Sequence, residues 1–351
     1  MTAIMFVATL AGLLTVIFWW SFTHLTRERW QMLAVIPVRR RPDGQWTGVN
    51  LTYYGLLSAN AYLLAAALVL VMFGSLGINL QPAVMLVAIM LAVCIPAASI
   101  MARLVERKGA TLTVAGAVFV GNLVLPFLVM LLNRFLWAGS WMTPLAVMPI
   151  MAAVAVAYAV GEGAGRLACI SFGCCYGRPL VHCSPWCRFL FAKFNFVFTG
   201  KTKKVAYEAC LDGTSLIPIQ GVTAIINCGA GLVGLWFFLM GHYGLTFLLV
   251  VVVTQGWRCF SEFMRADYRG GGRWSAYQVM AILTIFYDIG MAWLLPASVA
   301  GIPDLPTGLT SLWQPLAIFM LQAIWLLTLF HTGLSRVTGA SLLFHLKEEK
   351  V

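Results

Sequence analysis

Residues 143–178 read TPLAVMPIMAAVAVAYAVGEGAGRLACISFGCCYGR, an apolar run that ends in a few charged residues. The run 143–161 contains no charged side chain and is long enough to form a helix across a bilayer core. Glu162 and Arg166 follow it four residues apart, on one face if the helix persists. A charged group beside such a run is costly unless it pairs or meets an ionic ligand. The stretch therefore predicts a membrane helix with a polar site at one end.

The rest of the chain has the same apolar character. Hydrophobic residues make up 61% of the 351 residues and charged residues 10%, which is too little charge for the surface of a soluble domain of this size. Runs of about twenty apolar residues predict nine helices, near residues 2–22, 52–76, 83–102, 113–132, 143–161, 218–240, 245–264, 276–296 and 312–331. The predicted fold is an all-α polytopic membrane protein. Because Met1-Thr2-Ala3-Ile4 has no basic residue, we expect the first helix to be retained rather than cleaved as a signal.

The basic residues are unevenly distributed between the two predicted sides of the membrane. If nine helices alternate in direction, Arg134 is the one residue of the 23 Lys and Arg that falls on the side of the N-terminus. A basic side is typically cytoplasmic, so we expect an external N-terminus and a cytoplasmic C-terminus in a bacterial inner membrane. Anionic lipid headgroups account for the net charge of +11, and no nucleic-acid partner is needed.

Two pairs of charged residues are the main candidates for chemistry. Glu162 and Arg166 form one pair, and Arg258 and Glu262, again four residues apart, form the other. An arginine presents a planar fork to phosphate, and the carboxylate would orient it or move a proton; the alternative is an ion pair that fixes a helix end. We expect Glu262 to pair with Arg258. The glycines at 161, 163, 165 and 173 suit a broken or re-entrant helix.

Five cysteines, at positions 169, 174, 175, 183 and 187, fall with His182 in one short stretch. Small packing residues, a catalytic thiol and a metal site are the three alternatives. The stretch has no C-x-x-C pair and its spacing fits no common zinc pattern, so no metal is predicted. Packing is favoured, with Cys174 as the candidate thiol because Arg166 and Arg178 would stabilise its thiolate. Asp288 lies within a helix and needs a partner that the sequence does not identify.

Several motifs, in order from about residue 52 to 296, resemble the prolipoprotein diacylglyceryl transferase family of bacterial inner membranes. The fragments are Thr52-Tyr53-Tyr54-Gly55-Leu56, then Gly165-Arg166-Leu167 with Gly173 and Gly177-Arg178, then Pro218-Ile219-Gln220, then Arg258, Glu262, Phe263 and Arg265, and finally Ser275 to Gln278. The resemblance implies a seven-helix core at 52–296 with a polar loop at 179–217. One extra helix would precede the core within 1–51, together with a basic loop, and another would follow it within 297–351, with a basic tail.

The resemblance also implies an activity and a site. The family enzyme moves the diacylglyceryl group of phosphatidylglycerol to a lipobox cysteine and releases glycerol phosphate. Arg166 and Arg258 would bind the donor's phosphate and stabilise the charge that develops on it. The predicted catalytic residues are Glu162, Arg166, Cys174, Arg258 and Glu262. The predicted lipid-binding residues are Tyr54, Asn122, Arg178, Gln220 and Arg265. No cofactor is predicted.

The chain departs from the family where the acceptor would be activated. Val120 occupies the position of the family's histidine, Cys169 and Cys174 occupy an asparagine and a glutamate position, and Thr223 stands where a glutamate is expected. These departures favour a related transferase with a different acceptor, a protein cysteine or a small molecule or lipid. The alternatives are an ordinary prolipoprotein diacylglyceryl transferase and a non-catalytic lipid-binding protein or transporter. Candidates for the missing base are Glu162, Glu262, His182 and the pair Cys174 and Cys175, of which we rank Glu162 first and Cys174 second.

Overall fold

A computed structural model describes residues 2–44, 46–107, 113–137, 145–268, 274–295, 301–334 and 343–344. Within these ranges nine helices are long and apolar enough to cross a membrane, which confirms the predicted all-α polytopic membrane fold. They are α1 (Ala3–His24), α2 (Tyr53–Ser75), α3 (Leu80–Glu106), α4 (Val114–Trp137), α5 (Val147–Phe172), α8 (Ile219–Leu239), α9 (Tyr243–Ser261), α10 (Ala276–Leu294) and α12 (Pro315–Gly333). Three short helices lie between them, namely α6 (Pro185–Phe191), α7 (Lys204–Ala209) and α11 (Leu305–Ser311).

The loop after α1 forms a β-hairpin that the sequence analysis did not predict. Its strands are β1 (Met32–Arg40) and β2 (Trp46–Thr52), paired antiparallel, and β5 (Leu343–Phe344) adds to the free edge of β2. Residues 41–44 read Arg-Pro-Asp-Gly, a common turn sequence, and Gly44 adopts the positive φ of 83° that this turn needs. A second small sheet pairs β3 (Phe196–Val197) with β4 (Ser215–Leu216).

Helix α5 is the most buried of the long helices that the structure describes, and it packs against α2, α8 and α9. A Cβ atom at Gly163 would lie 2.5 Å from Cys228 Sγ and 3.0 Å from two backbone atoms of α8. The glycine therefore serves close helix packing, as small residues commonly do in membranes. Because α5 continues unbroken to Phe172, the broken helix expected at 161–173 is not observed, and this prediction was wrong.

The helices at the two ends of the chain pack on the outside of this arrangement. Helix α1 lies against α8, and α12 runs along α2. Thr52 Oγ1 donates to the carbonyl of Gly333 at 2.9 Å, and Trp325 Nε1 donates to Asn60 Oδ1 at 2.8 Å. The division into a core and two added helices stays a prediction.

Contacts between loops place several connections at the same end of the bundle. Gly177, after α5, forms a bridge with Arg265, after α9. At the other end, the Asp304 amide donates to the Ser75 carbonyl at 2.8 Å. This bridge joins the segment after α5, which carries Arg166, to the segment after α9, which carries Arg258.

Candidate active site

The carboxylate of Glu162 lies at the centre of a buried polar cluster between α5 and α9. One guanidinium nitrogen of Arg258 lies 2.7 Å from each of its oxygens. Arg166, one turn further along α5, also donates to Glu162, as does the Tyr158 hydroxyl. The Glu162 side chain is 3% exposed. Two arginines therefore share one carboxylate, and we call these three residues the arginine pair with its central glutamate.

Taken by themselves, these three residues have a net positive charge, and one of their hydrogen-bond donors has no partner among the described residues. Two guanidinium groups and one carboxylate carry a formal charge of +1 together. Nε of Arg166 is buried, and no protein atom of the described residues accepts a hydrogen bond from it. Buried polar groups are normally paired, and charged donors form strong hydrogen bonds to phosphate or carboxylate. The cluster can therefore receive an anionic group.

The direct ion-pair partner of the Arg258 guanidinium is Glu162, whereas the interaction described between Arg258 and Glu262 is electrostatic, and this corrects the expected pair. The Arg258 guanidinium donates hydrogen bonds to the Glu162 carboxylate. Helix α9 ends at Ser261, and Glu262 caps it with helical dihedrals while its amide donates to the Arg258 carbonyl. A 3-10 turn, Glu262–Met264, follows. Glu262 Oε1 lies 3.9 Å from the Arg265 guanidinium, and Oε2 accepts from Ser275 Oγ at 3.3 Å.

The two outer arginines lie beside the arginine pair but have different surroundings. Arg265 forms a two-pronged contact with Asp267, at 2.8 and 2.7 Å, and its side chain is 6% exposed. Arg178 is exposed, and its Nε lies 3.5 Å from the carbonyl of Arg265. Its backbone amide donates to the Met264 carbonyl at 2.9 Å. Arg265 is thus largely neutralised, whereas Arg178 remains available at the surface.

Tyr54 and Gln220 approach the turn that follows α5. The ring of Tyr54 contacts that of Phe172 edge-on, with centroids 5.8 Å apart. Gln220 is buried on α8, and its Nε2 donates to the Cys174 carbonyl at 2.9 Å. The Gln220 Oε1 atom is buried and has no hydrogen-bond partner among the described residues. Both residues therefore contact the end of α5 and its following turn, and a lipid-binding role for them stays a prediction.

Asn122 lies elsewhere. Its amide donates to Asp288 Oδ2 at 2.9 Å, a contact that joins α4 to α10. This supplies the partner that the sequence could not identify for the buried Asp288. The side chain of Asn122 is thus engaged with α10 rather than with the arginine pair, and a lipid-binding role for it stays a prediction.

Three of the cysteines converge at the end of α5. The sulfur atoms of Cys169, Cys174 and Cys175 all lie within 4.8 Å of one another. Their hydrogen bonds raise the pKa of the Cys174 thiol well above its ordinary value, the bond with Cys169 contributing most, then that with Cys175, and burial adds to the effect. These contacts oppose a Cys174 thiolate, and a catalytic role for this thiol stays a prediction. Electrostatic interaction also couples Tyr54 to all three cysteines.

Tyr158 and Gln255 are site residues that the sequence analysis missed. The Tyr158 hydroxyl accepts hydrogen bonds from Arg258 at 2.9 Å and from Gln255 at 3.3 Å while donating to Glu162. Both have a signal in the sequence. Tyr158 precedes Glu162 by four residues, and Gln255 precedes Arg258 by three, so each shares a helix face with a charged site residue.

Comparison with known proteins gives one partial similarity. No family model matches the chain, and no solved structure matches it. A curated relative, phosphatidylglycerol–prolipoprotein diacylglyceryl transferase 2 of Clostridium perfringens, is 27% identical over 133 residues, which are 37% of this chain and 46% of that protein. The match thus spans about half the length of the relative, whose name agrees with the family that the arginine motifs resemble.

Proposed function

We propose that the protein is a membrane transferase that moves a diacylglyceryl, or related glyceryl, group from an anionic phosphoglyceride such as phosphatidylglycerol to a nucleophilic acceptor. The observation that carries this proposal is the arginine pair with its central glutamate, which has a formal charge of +1 and an unpaired, buried Nε on Arg166. The name of the bacterial relative supports a phosphatidylglycerol donor.

The charge of the site matches the chemistry of this reaction. The phosphodiester of the donor carries one negative charge. When the acceptor's nucleophile attacks the glyceryl carbon that bears the phosphate, the carbon–oxygen bond breaks and its electron pair leaves with glycerol phosphate. A second negative charge then develops on the phosphate. Arg166 and Arg258 would stabilise that charge, because positioned donors in a site with little water act strongly on developing charge.

Glu162 suits a positioning role better than that of a base. Two guanidinium groups and the Tyr158 hydroxyl all donate to its carboxylate, and each of these contacts favours the ionised form over the protonated one. Such a carboxylate accepts a proton reluctantly. The acceptor's proton would then leave to Glu262 or His182, or the acceptor would arrive already anionic.

The identity of the acceptor separates two versions of the proposal. The relative's name specifies a prolipoprotein, which favours an ordinary prolipoprotein diacylglyceryl transferase acting on a lipobox cysteine. Val120, Cys169, Cys174 and Thr223 stand where the family's polar groups are expected, which favours a different acceptor. Orientation belongs to the same question: the distribution of basic residues favours a cytoplasmic arginine site.

Turnover of phosphatidylglycerol labelled in its headgroup glycerol tests the proposal. In one arm, purified protein in lipid nanodiscs would receive a lipobox peptide. In the other arm, it would receive a membrane extract from the bacterium that produces the protein. We expect release of water-soluble glycerol phosphate in at least one arm and no release from labelled phosphatidylcholine. Binding of phosphatidylglycerol without release in either arm would instead identify a lipid-binding protein or transporter.

A further inference from the structure

The end of α5 is built so that a cysteine of the helix faces the cysteines of the next turn. Gly173 adopts a positive φ of 74°. Its amide donates to the carbonyl of Ile170 at 3.2 Å, and the amide of Cys174 donates to the carbonyl of Cys169 at 3.1 Å. These bonds form a Schellman motif, which reverses the chain direction at a helix end. The reversal brings the turn back over the last turn of the helix.

The three sulfur atoms are close enough to share one ion. They lie within 4.8 Å of one another. Zinc–sulfur bonds of about 2.3 Å place two sulfurs of a tetrahedral site roughly 3.8 Å apart. Side-chain rotations that shorten the sulfur–sulfur distances by about 1 Å or less would therefore give the spacing of a tetrahedral site. All three residues are half-buried, so the cluster is not sealed within the core.

The charges around the cluster suit a thiolate–metal complex. Three thiolates and a divalent ion carry a net charge of −1. Three cations interact electrostatically with the cluster: Arg166 with Cys169 and Cys175, Arg265 with Cys175, and Lys204 with Cys174 and Cys175. A hard cation held by neutral oxygen ligands would keep its positive charge and be repelled by the surrounding cations. A soft divalent cation bound by three thiolates forms an anionic complex, which the same cations attract.

We propose that Cys169, Cys174 and Cys175 form a binding site for a thiophilic cation such as Zn²⁺, at the turn that follows α5. Three protein ligands leave one coordination position open. Binding would release the thiol protons and hold the turn that carries Gly177 and Arg178. The proposal rests on the sulfur geometry and does not require the proposed transferase activity, although Arg166 borders both sites.

Metal binding to the full-length protein in detergent tests this site. The reduced, chelator-treated protein would be titrated with Zn²⁺ in competition with a chromophoric chelator, and with Cd²⁺, whose thiolate bonds absorb in the ultraviolet. We expect one equivalent of Zn²⁺ and of Cd²⁺ to bind and Mg²⁺ not to compete. Even outer contacts of a metal site are worth roughly 10- to 100-fold in affinity, so Cys175→Ser and Cys174→Ser should each weaken Zn²⁺ binding at least that much.

Two free cysteines near the start of α6, Cys183 and Cys187, provide the matched control. Cys183→Ser with Cys187→Ser removes two thiols from the same region but none from the cluster, and binding should be unchanged. Elution of each variant as a monodisperse peak in detergent shows that it is folded. The proposal is overturned if the wild-type protein binds no Zn²⁺, or if a folded Cys175→Ser variant binds it as tightly as the wild type. Loss of binding in the Cys183 and Cys187 variant would also overturn it, by moving the site to that loop.

Discussion

Glu162 is the residue on which the geometry of the arginine pair depends. The side chain is almost completely buried and lies between two guanidinium groups that belong to different helices. Without its charge, Arg166 and Arg258 would repel each other in a buried site. Removing one partner of a buried ion pair typically costs about 3–5 kcal/mol, because a buried charge is left uncompensated.

We therefore expect Glu162→Gln to lower both the thermal stability in detergent and the turnover of phosphatidylglycerol. The residual activity should keep the pH dependence of the wild type, because in a positioning role Glu162 does not accept the proton. Glu208→Gln is the control, because its contact with Lys204 is partly exposed and such surface pairs contribute little, so stability should be nearly unchanged. If Glu162→Gln removed the acidic limb of the pH–rate profile, Glu162 would be the base instead.

Lys203 is a second buried charge, outside the membrane-spanning helices. It is fully buried, and its Nζ donates to the carbonyls of Leu25 and Ser171. Burial lowers the pKa of Lys203 from 10.5 to about 7, although the charge of Glu28 opposes the shift. Below pH 7 both the folded and unfolded states bind the proton. Between that pH and 10.5 the unfolded state binds more protons, so this group makes stability rise with pH in that window.

The corresponding variant is Lys203→Met. The free energy of unfolding of the wild type should rise more steeply between about pH 7 and pH 10 than that of the variant. The comparison concerns slopes, since methionine also leaves two carbonyls without a donor and lowers stability at every pH. Equal slopes for the two proteins would contradict a neutral Lys203 in the folded state.

At the scale of elements, α5 is the helix that most of the others contact. Its glycine at 163 lets α8 approach to within van der Waals distance of the α5 backbone. Membrane helices associate through such packing, since lipid provides no hydrophobic driving force between them. The positions of Glu162 and Arg166 thus depend on close contact between α5 and α8.

Gly163→Ala tests this contact. The added methyl group would lie too close to Cys228 and to the α8 backbone, and overpacking typically costs about 1–3 kcal/mol, so we expect a lower unfolding temperature. Gly229→Ala on α8 is the control, because nothing lies within 4 Å of the Cβ position there. Equal unfolding temperatures for the two variants would show that α5 and α8 are not closely packed at Gly163.

The elements differ in how far the sequence could predict them. The nine long helices were predictable because each requires a run of about twenty apolar residues. The continuation of α5 to Phe172 was missed because charged residues were read as its end, whereas Glu162 and Arg166 remain helical by pairing. The hairpin was missed although its turn is marked by Pro42-Asp43-Gly44. The link from Glu162 to Arg258 spans 96 residues, and no local pattern encodes it.

At the scale of the whole molecule, the distribution of basic residues predicts the orientation in the membrane. A reporter that is active only outside the cytoplasm should be silent when fused after Val351. The same reporter inserted at 241–242, between α8 and α9, should be active and is the control. External activity after Val351 would reverse the orientation and would place the arginine site on the outer face.

The most direct test of the account is the turnover of labelled phosphatidylglycerol by arginine variants. We expect Arg166→Ala and Arg258→Ala each to reduce turnover well over tenfold, corresponding to more than ~1.4 kcal/mol of barrier, while the proteins remain folded in detergent. Lysine at either position should rescue poorly, because a point charge does not reproduce the planar fork. Arg103→Ala, at an exposed position of α3, should behave as the wild type. Less than tenfold loss in both alanine variants would contradict a phosphate-stabilising role for the arginine pair.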